Sequence, residues 1–189
     1  MEKERVAIFI DGSNFYHNLK RAFGAPSVDL EKFCKHVSMN KKLEKTFYYT
    51  APVSQKDFPE SYKKQQRFLS TISKIENLSI FLGRLEKRPD GTMTEKGVDV
   101  KLTVDLLKNA FDDKFDVAFL VTNDADFIPA IVEVQKIGKK VINVTFPNTK
   151  SFHMNKICDS TLNINEIKSL SPKPPSSGDE TKDNFKSPK

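Results

Sequence analysis

The sequence predicts an α/β fold in which a mostly parallel sheet of five or six strands lies between two layers of helices. Short apolar runs, typical of buried strands, alternate along the chain with longer segments of helical character. This alternation implies a parallel sheet covered on both faces and joined by right-handed crossovers. The 189 residues are 38% hydrophobic and 30% charged, which suits one domain with a well-solvated surface.

The strands are predicted from short runs of apolar, β-branched and aromatic residues. Five of these runs are bounded by polar or turn residues, and a sixth, weaker run suits the edge of the sheet. They lie at residues 6–10, 45–50, 80–85, 115–121, 141–145 and, at the edge, 159–164.

Helices are predicted between the strands, and local residues account for several of their ends. Asp29 is placed to cap the second helix. Gly24 with Pro26 ends the first helix and Gly138 ends the fifth, because glycine readily adopts the left-handed conformation that closes helices. Pro129 falls in the first turn of the fifth helix, where a missing N–H costs little. The helices are expected at residues 11–23, 30–37, 62–75, 98–111, 126–137 and 152–157.

The remaining segments are predicted to be loops, turns or disordered chain. Residues 52–59 precede the third helix as a loop, and Arg88-Pro89-Asp90-Gly91 is a strong turn signal. The chain beyond the last predicted strand becomes rich in Pro, Ser and Lys and poor in apolar residues. We therefore expect one domain at residues 1–169 and a disordered tail at residues 170–189.

Composition narrows the setting in which the protein works. No window holds the roughly 20 consecutive apolar residues of a membrane helix. The polar residues after Met1 lead directly into a strand, so no signal-peptide core is expected. Cys34 and Cys158 form no Cys-x-x-Cys pair and are too few for a disulfide framework. We expect a cytoplasmic protein with no membrane partner.

The net charge of +6 arises from 31 Lys plus Arg against 25 Asp plus Glu. If several acids gather in one cleft, the remaining surface is more basic than the total suggests. A basic rim around an acidic cleft suits a polyanionic substrate that is held by its phosphates. A lysine-rich surface that serves only solubility explains the charge equally well.

Acidic residues fall where a parallel sheet would bring them together. Asp11 follows the first predicted strand, and Asp124 follows the fourth. Asp126 begins the next helix, and Asp99 lies in the opening turn of the helix near residue 98. Because ligands of open α/β sheets bind beyond the carboxyl ends of the strands, these four carboxylates should share one cleft. Like charges at close range are unfavourable unless a cation or a proton relieves them, which favours a divalent metal site.

Mg²⁺ prefers oxygen ligands, usually a few carboxylates with waters and substrate phosphates. We expect one or two Mg²⁺ or Mn²⁺ ions; of two, one could activate water while the other stabilises the leaving oxygen. An isolated Asp after a strand is more often a helix cap, but capping does not require acids at the ends of two separate buried strands. Asp105 is left out, because it lies about 120° around the helix from Asp99, next to Lys101 and Lys108.

Polar residues near these acids are candidates for contact with a substrate. Asn14 stands one helical turn after Asp11 and could orient water, hold the carboxylate or simply begin the helix. Ser13 and Thr122 could bond to phosphate or to the carboxylates, although both are ordinary cap residues. Three cations precede Asp99 and could reach a phosphate or remain solvated, namely Lys87, Arg88 and Lys96.

Three motifs together resemble one family. Asp-Gly-Ser-Asn begins at Asp11, Lys-Gly-Val-Asp begins at Lys96, and Thr-Asn-Asp-Ala-Asp-Phe begins at Thr122. In this order and spacing they are similar to the NYN domain of the PIN-like nuclease superfamily, close to its LabA-like bacterial branch. The resemblance spans residues 6–164. It implies a Rossmann-like three-layer α/β/α sandwich and metal-dependent cleavage of RNA phosphodiester bonds, with endonucleolytic cleavage expected.

The resemblance also implies roles for individual residues. The metal-binding acids would be Asp11, Asp99, Asp124 and Asp126, and Asn14 matches the Asn of the first motif. The third motif more commonly reads Ser-Gly-Asp-x-Asp-Phe. Thr122 keeps the hydroxyl, and Asn123 replaces the glycine at a position expected to contact substrate.

Other enzyme classes fail on specific residues. A haloacid-dehalogenase phosphatase requires Asp where Ser13 stands, and a metal-dependent adhesion site requires Ser where Phe15 stands. A Toprim domain would open with Glu in place of Asp11, and neither GxxxxGK[ST] nor GxGxxG occurs. A non-catalytic regulatory domain that binds RNA or protein remains open. The expected partner is RNA, and a homodimer is possible.

Overall fold

The computed structural model describes residues 3–24, 28–149 and 152–166. The strands within these residues are β1 (Arg5–Asp11), β2 (Lys42–Thr50), β3 (Leu78–Leu82), β4 (Arg84–Lys87), β5 (Met93–Lys96), β6 (Val117–Val121), β7 (Lys140–Thr145) and β8 (Ser160–Asn163). The helices are α1 (Gly12–Phe23), α2 (Leu30–Val37), α3 (Pro59–Ile72), α4 (Val98–Phe111), α5 (Ile128–Lys136) and α6 (Phe152–Ile157). A short 3₁₀ turn, Ala125–Phe127, precedes α5.

Six strands form one sheet in the order β3-β2-β1-β6-β7-β8, and every neighbouring pair is parallel. The α/β prediction is therefore confirmed, with six strands rather than five. Alternate side chains of the central strand β1 enter two different cores: Ile8 and Ile10 face one side, and Ala7 and Phe9 face the other. Both faces of the sheet are thus buried, as a parallel sheet requires.

Helices cover the two faces and complete the three-layer sandwich. The core on one face is filled by apolar residues of α1, α2 and α3 together with β1, β2 and β6. The core on the other face is filled by α4, α5 and α6, and α4 contributes Val98, Leu102, Leu106 and Ala110 at intervals of four residues. This packing fixes α4 over the centre of the sheet, with its first turn at the carboxyl ends of the strands.

The sheet order brings the ends of β1 and β6 side by side. The two strands are hydrogen-bonded neighbours, and Ile10 pairs with Val121. The next residues along the two strands, Asp11 and Thr122, therefore emerge together at the carboxyl edge. This adjacency places the acids of the first and third motifs in one region.

A second, two-stranded sheet was not predicted. β4 and β5 form an antiparallel hairpin between β3 and α4, where the sequence indicated the end of one strand and then a loop. Gly83 divides the predicted strand at residues 80–85: a Cβ on this residue would lie 2.7 Å from the Lys96 carbonyl oxygen and from the Val98 side chain. Because glycine has no Cβ, the returning strand passes close to the end of β3.

Most predicted helix ends and the predicted turn at Gly91 are confirmed, and three helix ends are shifted. Gly24, Gly91 and Gly138 adopt positive φ angles of 69°, 84° and 88°, and Asp29 caps α2 through a bond from the Lys32 amide (3.1 Å). α3 begins at Pro59 rather than at residue 62 and ends at Ile72, and the helix predicted at residues 126–137 starts with the 3₁₀ turn. Pro26 and the predicted tail at residues 170–189 lie outside the described residues. Within the described residues, no helix has the length and apolar character needed to span a bilayer.

Candidate functional site

Asp11 ends β1 and caps α1. Its Oδ1 accepts a hydrogen bond from the Asn14 amide (3.1 Å), and its Oδ2 accepts one from the Thr122 hydroxyl (3.2 Å). The residue is only 7% exposed. The pKa of the Asp11 carboxyl is raised to about 6: burial is the main cause, and the negative charges of Asp99 and Asp124 add to it, while the two hydrogen bonds lower it.

Asp124 repeats this arrangement at the end of the neighbouring strand. Its Oδ1 accepts a bond from the Asp126 amide (2.9 Å), so Asp124 caps the 3₁₀ turn. The Asp124 amide in turn donates to the Thr122 hydroxyl (3.2 Å). Thr122 is fully buried and its hydroxyl joins both strand-end acids, which makes it a positioning residue at the base of the site.

Asp99 approaches from the first turn of α4, as the sequence predicted. Partial burial raises the pKa of its carboxyl, and the negative charges of Asp124 and Asp126 raise it further. Asp11 responds to Asp99 and Asp124 in the same way. Asp11, Asp99 and Asp124 are therefore linked electrostatically, and Asp126 acts on Asp99, which indicates that the acids of the three motifs lie near one another.

Glu95 is a fifth acid that the sequence analysis missed. It lies in β5 and is hydrogen-bonded to Ser13, in the first turn of α1. The residue as a whole is exposed, but its carboxyl group is partly buried. This burial is the main cause that raises the pKa of the carboxyl to about 7, and the charges of Asp11 and Asp99 also raise it. Glu95 comes close to Ser13 because the hairpin folds back toward α1. The sequence of β5, Met-Thr-Glu-Lys, has no pattern that predicts this contact.

Three Asn side chains join α1 to the loop after β6. The Asn14 side-chain oxygen accepts bonds from the Asn18 amide group (2.8 Å) and from the Asn123 backbone N–H (3.2 Å). The Asn123 side chain donates to the Asn18 oxygen (2.9 Å). Asn123 stands where the family often has glycine, yet its φ is not positive, so the backbone here does not need glycine. The network holds the loop that carries Asp124 and Asp126.

The three candidate cations lie on or beside the hairpin, in different orientations. Leu85 pairs with Glu95, and Lys87 pairs with Met93 two residues further along, so Lys87 shares the hairpin face of Glu95. Lys96 pairs with Arg84 on the opposite face. Arg88 begins the turn at the hairpin tip. Lys87 also lies 3.9 Å from Asp57.

The donor set suits a hard divalent cation, but the side chains are not arranged around one. Carboxylate oxygens are the preferred ligands of Mg²⁺, and mutual repulsion gives these acids a reason to bind a cation. Across residues 3–24, 28–149 and 152–166, no three Asp, Glu, His or Cys side chains stand close enough together to hold a metal ion. Asp11 and Asp124 both cap a helical segment, which is the structural role that the sequence offered as the alternative to metal binding.

The fold and the acids at its carboxyl edge define an α/β protein of the PIN-like nuclease superfamily. The family model of the NYN domain matches residues 5–165, and the chain belongs to that family.

Two similar proteins give the context of this assignment. An uncharacterized protein of Methanocaldococcus jannaschii, MJ0482, is 38% identical over 69 residues, which are 36% of this chain and 29% of that protein. The crystal structure of a protein of unknown function from Vibrio parahaemolyticus, VPA0982, is similar with a TM-score of 0.71 and 24% identity, over 88% of this chain and 96% of that one. The second likeness supports the fold.

The electrostatic coupling predicts that removal of the Asp99 charge lowers the pKa values of two other acids. Asp99→Asn should lower the pKa values of Asp11 and Glu95 from about 6 and about 7, because Asp99 raises both. Carboxyl-carbon NMR titration of the full chain measures both values. Asp29→Asn is the matched control, since Asp29 caps α2 and is not among the groups that raise either pKa. Unchanged titration of both acids in Asp99→Asn would refute the shared cleft.

Asp11→Asn should stabilise the fold at neutral pH in the presence of EDTA. The pKa of Asp11 rises from 3.8 in the unfolded chain to about 6, so its contribution to stability is full below pH 4 and is lost as the pH passes 6. The penalty at pH 7.5 is at most about 3 kcal/mol. Asn can retain the cap. Thermal unfolding should show a melting temperature several degrees higher at pH 7.5 and little changed at pH 4.

Asp29→Asn again serves as the control for this measurement. It makes the same chemical change at a helix cap but removes an ion pair with Lys32 (3.6 Å), so its melting temperature should stay level or fall slightly. A lower melting temperature for Asp11→Asn at pH 7.5 would show that the Asp11 charge is compensated within the fold.

Proposed function

We propose that this chain is a metal-dependent ribonuclease that hydrolyses RNA phosphodiester bonds at the cleft beyond β1 and β6. The observation that carries the proposal is the buried Asp11 carboxyl, whose pKa is about 6 because of burial and the charges of Asp99 and Asp124. A fold selected only for stability would have little reason to keep these charges together. Membership of the NYN family supports the same reading.

The acids that would hold Mg²⁺ or Mn²⁺ are Asp11, Asp99, Asp124 and Asp126. A bound ion would supply Lewis-acid stabilisation of the developing phosphate charge and would lower the pKa of a bound water. The hydrogen bonds that fix Asp11 and Asp124 as caps hold their carboxylates at the carboxyl edge. Carboxylate oxygens have lone pairs beyond those used in the caps, so capping and metal binding are compatible.

Glu95 is suited to proton transfer. A general base works best when its pKa lies near the working pH, and burial with the charges of Asp11 and Asp99 brings the pKa of Glu95 to about 7. Its bond with Ser13 fixes the carboxylate next to α1. We assign Ser13, Thr122 and Asn123 to the positioning of Glu95, the strand-end acids and the Asp124 loop, rather than to direct phosphate contact.

The hairpin would hold the RNA. Lys87 lies on the face that carries Glu95, so its ammonium is placed to meet a phosphate that enters the cleft. Arg88 extends the same positive charge to the tip. Lys96 is on the outer face and would contribute through its charge more than through a direct contact.

The three motifs further support a place in the LabA-like branch, and two cysteines that form no Cys-x-x-Cys pair support a cytoplasmic setting. A homodimer stays a prediction of the sequence.

One observation favours a second candidate function, a regulatory NYN domain that binds RNA or protein without cleaving it. Asp11 and Asp124 both have complete capping roles, and no three acids in the described residues already surround a common ion position. Such a domain would retain the basic hairpin and the fold but would turn over no substrate.

A nuclease assay separates the two functions. The full chain is incubated with end-labelled single-stranded RNA and with circular RNA in Mn²⁺ or Mg²⁺ and in EDTA. Wild type should cleave both RNAs only with metal, and cleavage of the circle indicates endonuclease action. The rate should rise from pH 6 to pH 8 as Asp11 and Glu95 lose their protons.

Matched variants make this assay specific. Asp11→Asn and Asp99→Asn should each reduce cleavage by about 100-fold or more, and Asp29→Asn should cleave like wild type. If Asp11→Asn is as active as wild type, any cleavage comes from elsewhere and the acid site is refuted. If wild type binds RNA without cleaving it under all metal conditions, the regulatory function is the correct one.

The orientation of the hairpin predicts unequal effects of two similar substitutions. Lys87→Glu should weaken RNA binding by about tenfold or more, because a favourable phosphate contact becomes a repulsion on the face of the site. Lys96→Glu makes the same charge change on the outer face and should weaken binding less. Binding to RNA is measured in EDTA at two salt concentrations. Equal losses for the two variants would mean that the hairpin acts only through its net charge.

A further inference from the structure

A cavity of about 430 Å³ opens on a flank of α4. Its floor is formed by β2 and the edge strand β3, and its wall by α4. The cavity exists because α4, the outermost helix on this face among the described residues, packs over the centre of the sheet and leaves the edge partly open. The volume lies within the range of about 300–1,000 Å³ that is usual for small-molecule sites.

The floor of the cavity is aromatic. Phe47 and Tyr49 of β2 stack with ring centroids 6.3 Å apart, and Phe81 of β3 lies 6.3 Å from Tyr49. Phe47 and Phe81 are only half-buried, so part of each ring faces the cavity. The Lys101 ammonium lies 5.9 Å from the centre of the Phe81 ring, over its face. Phe47 is nearly parallel to Tyr49 (20°), whereas Phe81 is tilted from Tyr49 by 52°. A flat unsaturated ring could therefore stack on one of the two half-buried rings but not on both.

The wall of the cavity is polar and carries more positive than negative charge. Asp105 is already satisfied, since it accepts a bond from the Tyr49 hydroxyl (3.0 Å) and forms an ion pair with Lys101. Lys108 and Lys114 are exposed at the rim, opposed by the single carboxylate of Asp112. The ion pair with Asp105 also offsets the charge of Lys101, so Lys108 and Lys114 at the rim are the cations placed to meet a phosphate.

We propose that this cavity binds a nucleotide, with the base stacked on Phe81 and the phosphates held by Lys108 and Lys114. Two rim lysines suit a nucleotide with a phosphate on each side of its ribose. This arrangement occurs in a single-stranded RNA segment and also in a free nucleoside 3′,5′-bisphosphate. Stacking tolerates any base, so the aromatic floor would bind the flat base without distinguishing its type, and the lysines would bind the phosphates.

The cavity is separate from the acid cluster and goes beyond the proposed function. Asp99 and Lys101 are two residues apart on α4 and therefore about 200° apart around the helix axis. The helix thus lies between the acids and the cavity. Nucleotide binding here requires neither the acids nor a metal, so it can succeed or fail independently of nuclease activity.

Binding to the full chain in EDTA tests the proposal. The probes are adenosine 5′-monophosphate, adenosine 3′,5′-bisphosphate and a short oligoadenylate, with affinities measured by calorimetry and sites mapped by backbone amide NMR. The bisphosphate should bind several-fold tighter than the monophosphate, and the shifts should fall on β2, β3 and α4. Tighter binding of the oligoadenylate than of the bisphosphate identifies RNA as the source; equal or weaker binding identifies a free nucleotide.

Two substitutions and one control decide the site. Lys108→Glu should weaken binding of the bisphosphate by about tenfold or more. Phe81→Leu should also weaken its binding, because the stacking contact is lost although an apolar side chain remains. Lys136→Glu makes the same charge change on α5, where Lys136 pairs with Glu133, and should leave the affinity unchanged. The proposal is overturned if no probe binds, if Lys108→Glu and Lys136→Glu behave alike, or if the shifts caused by the bisphosphate map to the hairpin and the acids.

Discussion

The burial of the Asp11 carboxylate at the end of β1, beside the loop that follows β6, is the constraint on which the rest of the site depends. The two strands cannot separate, because they are hydrogen-bonded neighbours with apolar side chains packed on both faces. Their register therefore brings Asp11 and the Asp124 loop together in a buried place. Burial is the main cause of the raised pKa of Asp11, and the charges of Asp99 and Asp124 add to it. The packed sheet supplies the free energy that holds unfavourable charges in place, as expected of functional sites.

The helix caps and the proposed metal site are two uses of the same geometry. A carboxylate at the start of a helix receives backbone N–H bonds and a favourable dipole interaction, both of which lower its pKa. In Asp11 burial outweighs these effects, so capping alone leaves a net penalty. Asn or Ser would cap α1 without that penalty. The choice of Asp at a buried position is thus better explained by a cation or proton that is bound during function than by helix stability.

Much of the fold could be predicted because buried strands and helix-ending residues leave local signals. The runs that became β1, β6 and β7 are apolar on both faces, and Asp29 and Gly138 act as their residue types suggest. The hairpin left no such signal, since it depends on the close approach at Gly83 and on the contact between Glu95 and Ser13. Glu95 was missed for this reason: its contact with Ser13 spans 82 positions and is created by tertiary structure alone.

Helix α4 links these features because three of its sides have different surroundings. One side is buried, with an apolar residue at every fourth position. A second side presents Asp99 to the acid cluster, and a third presents Lys101 and Lys108 to the aromatic cavity. A rigid helix that is fixed by its buried side cannot shift toward one site without shifting at the other.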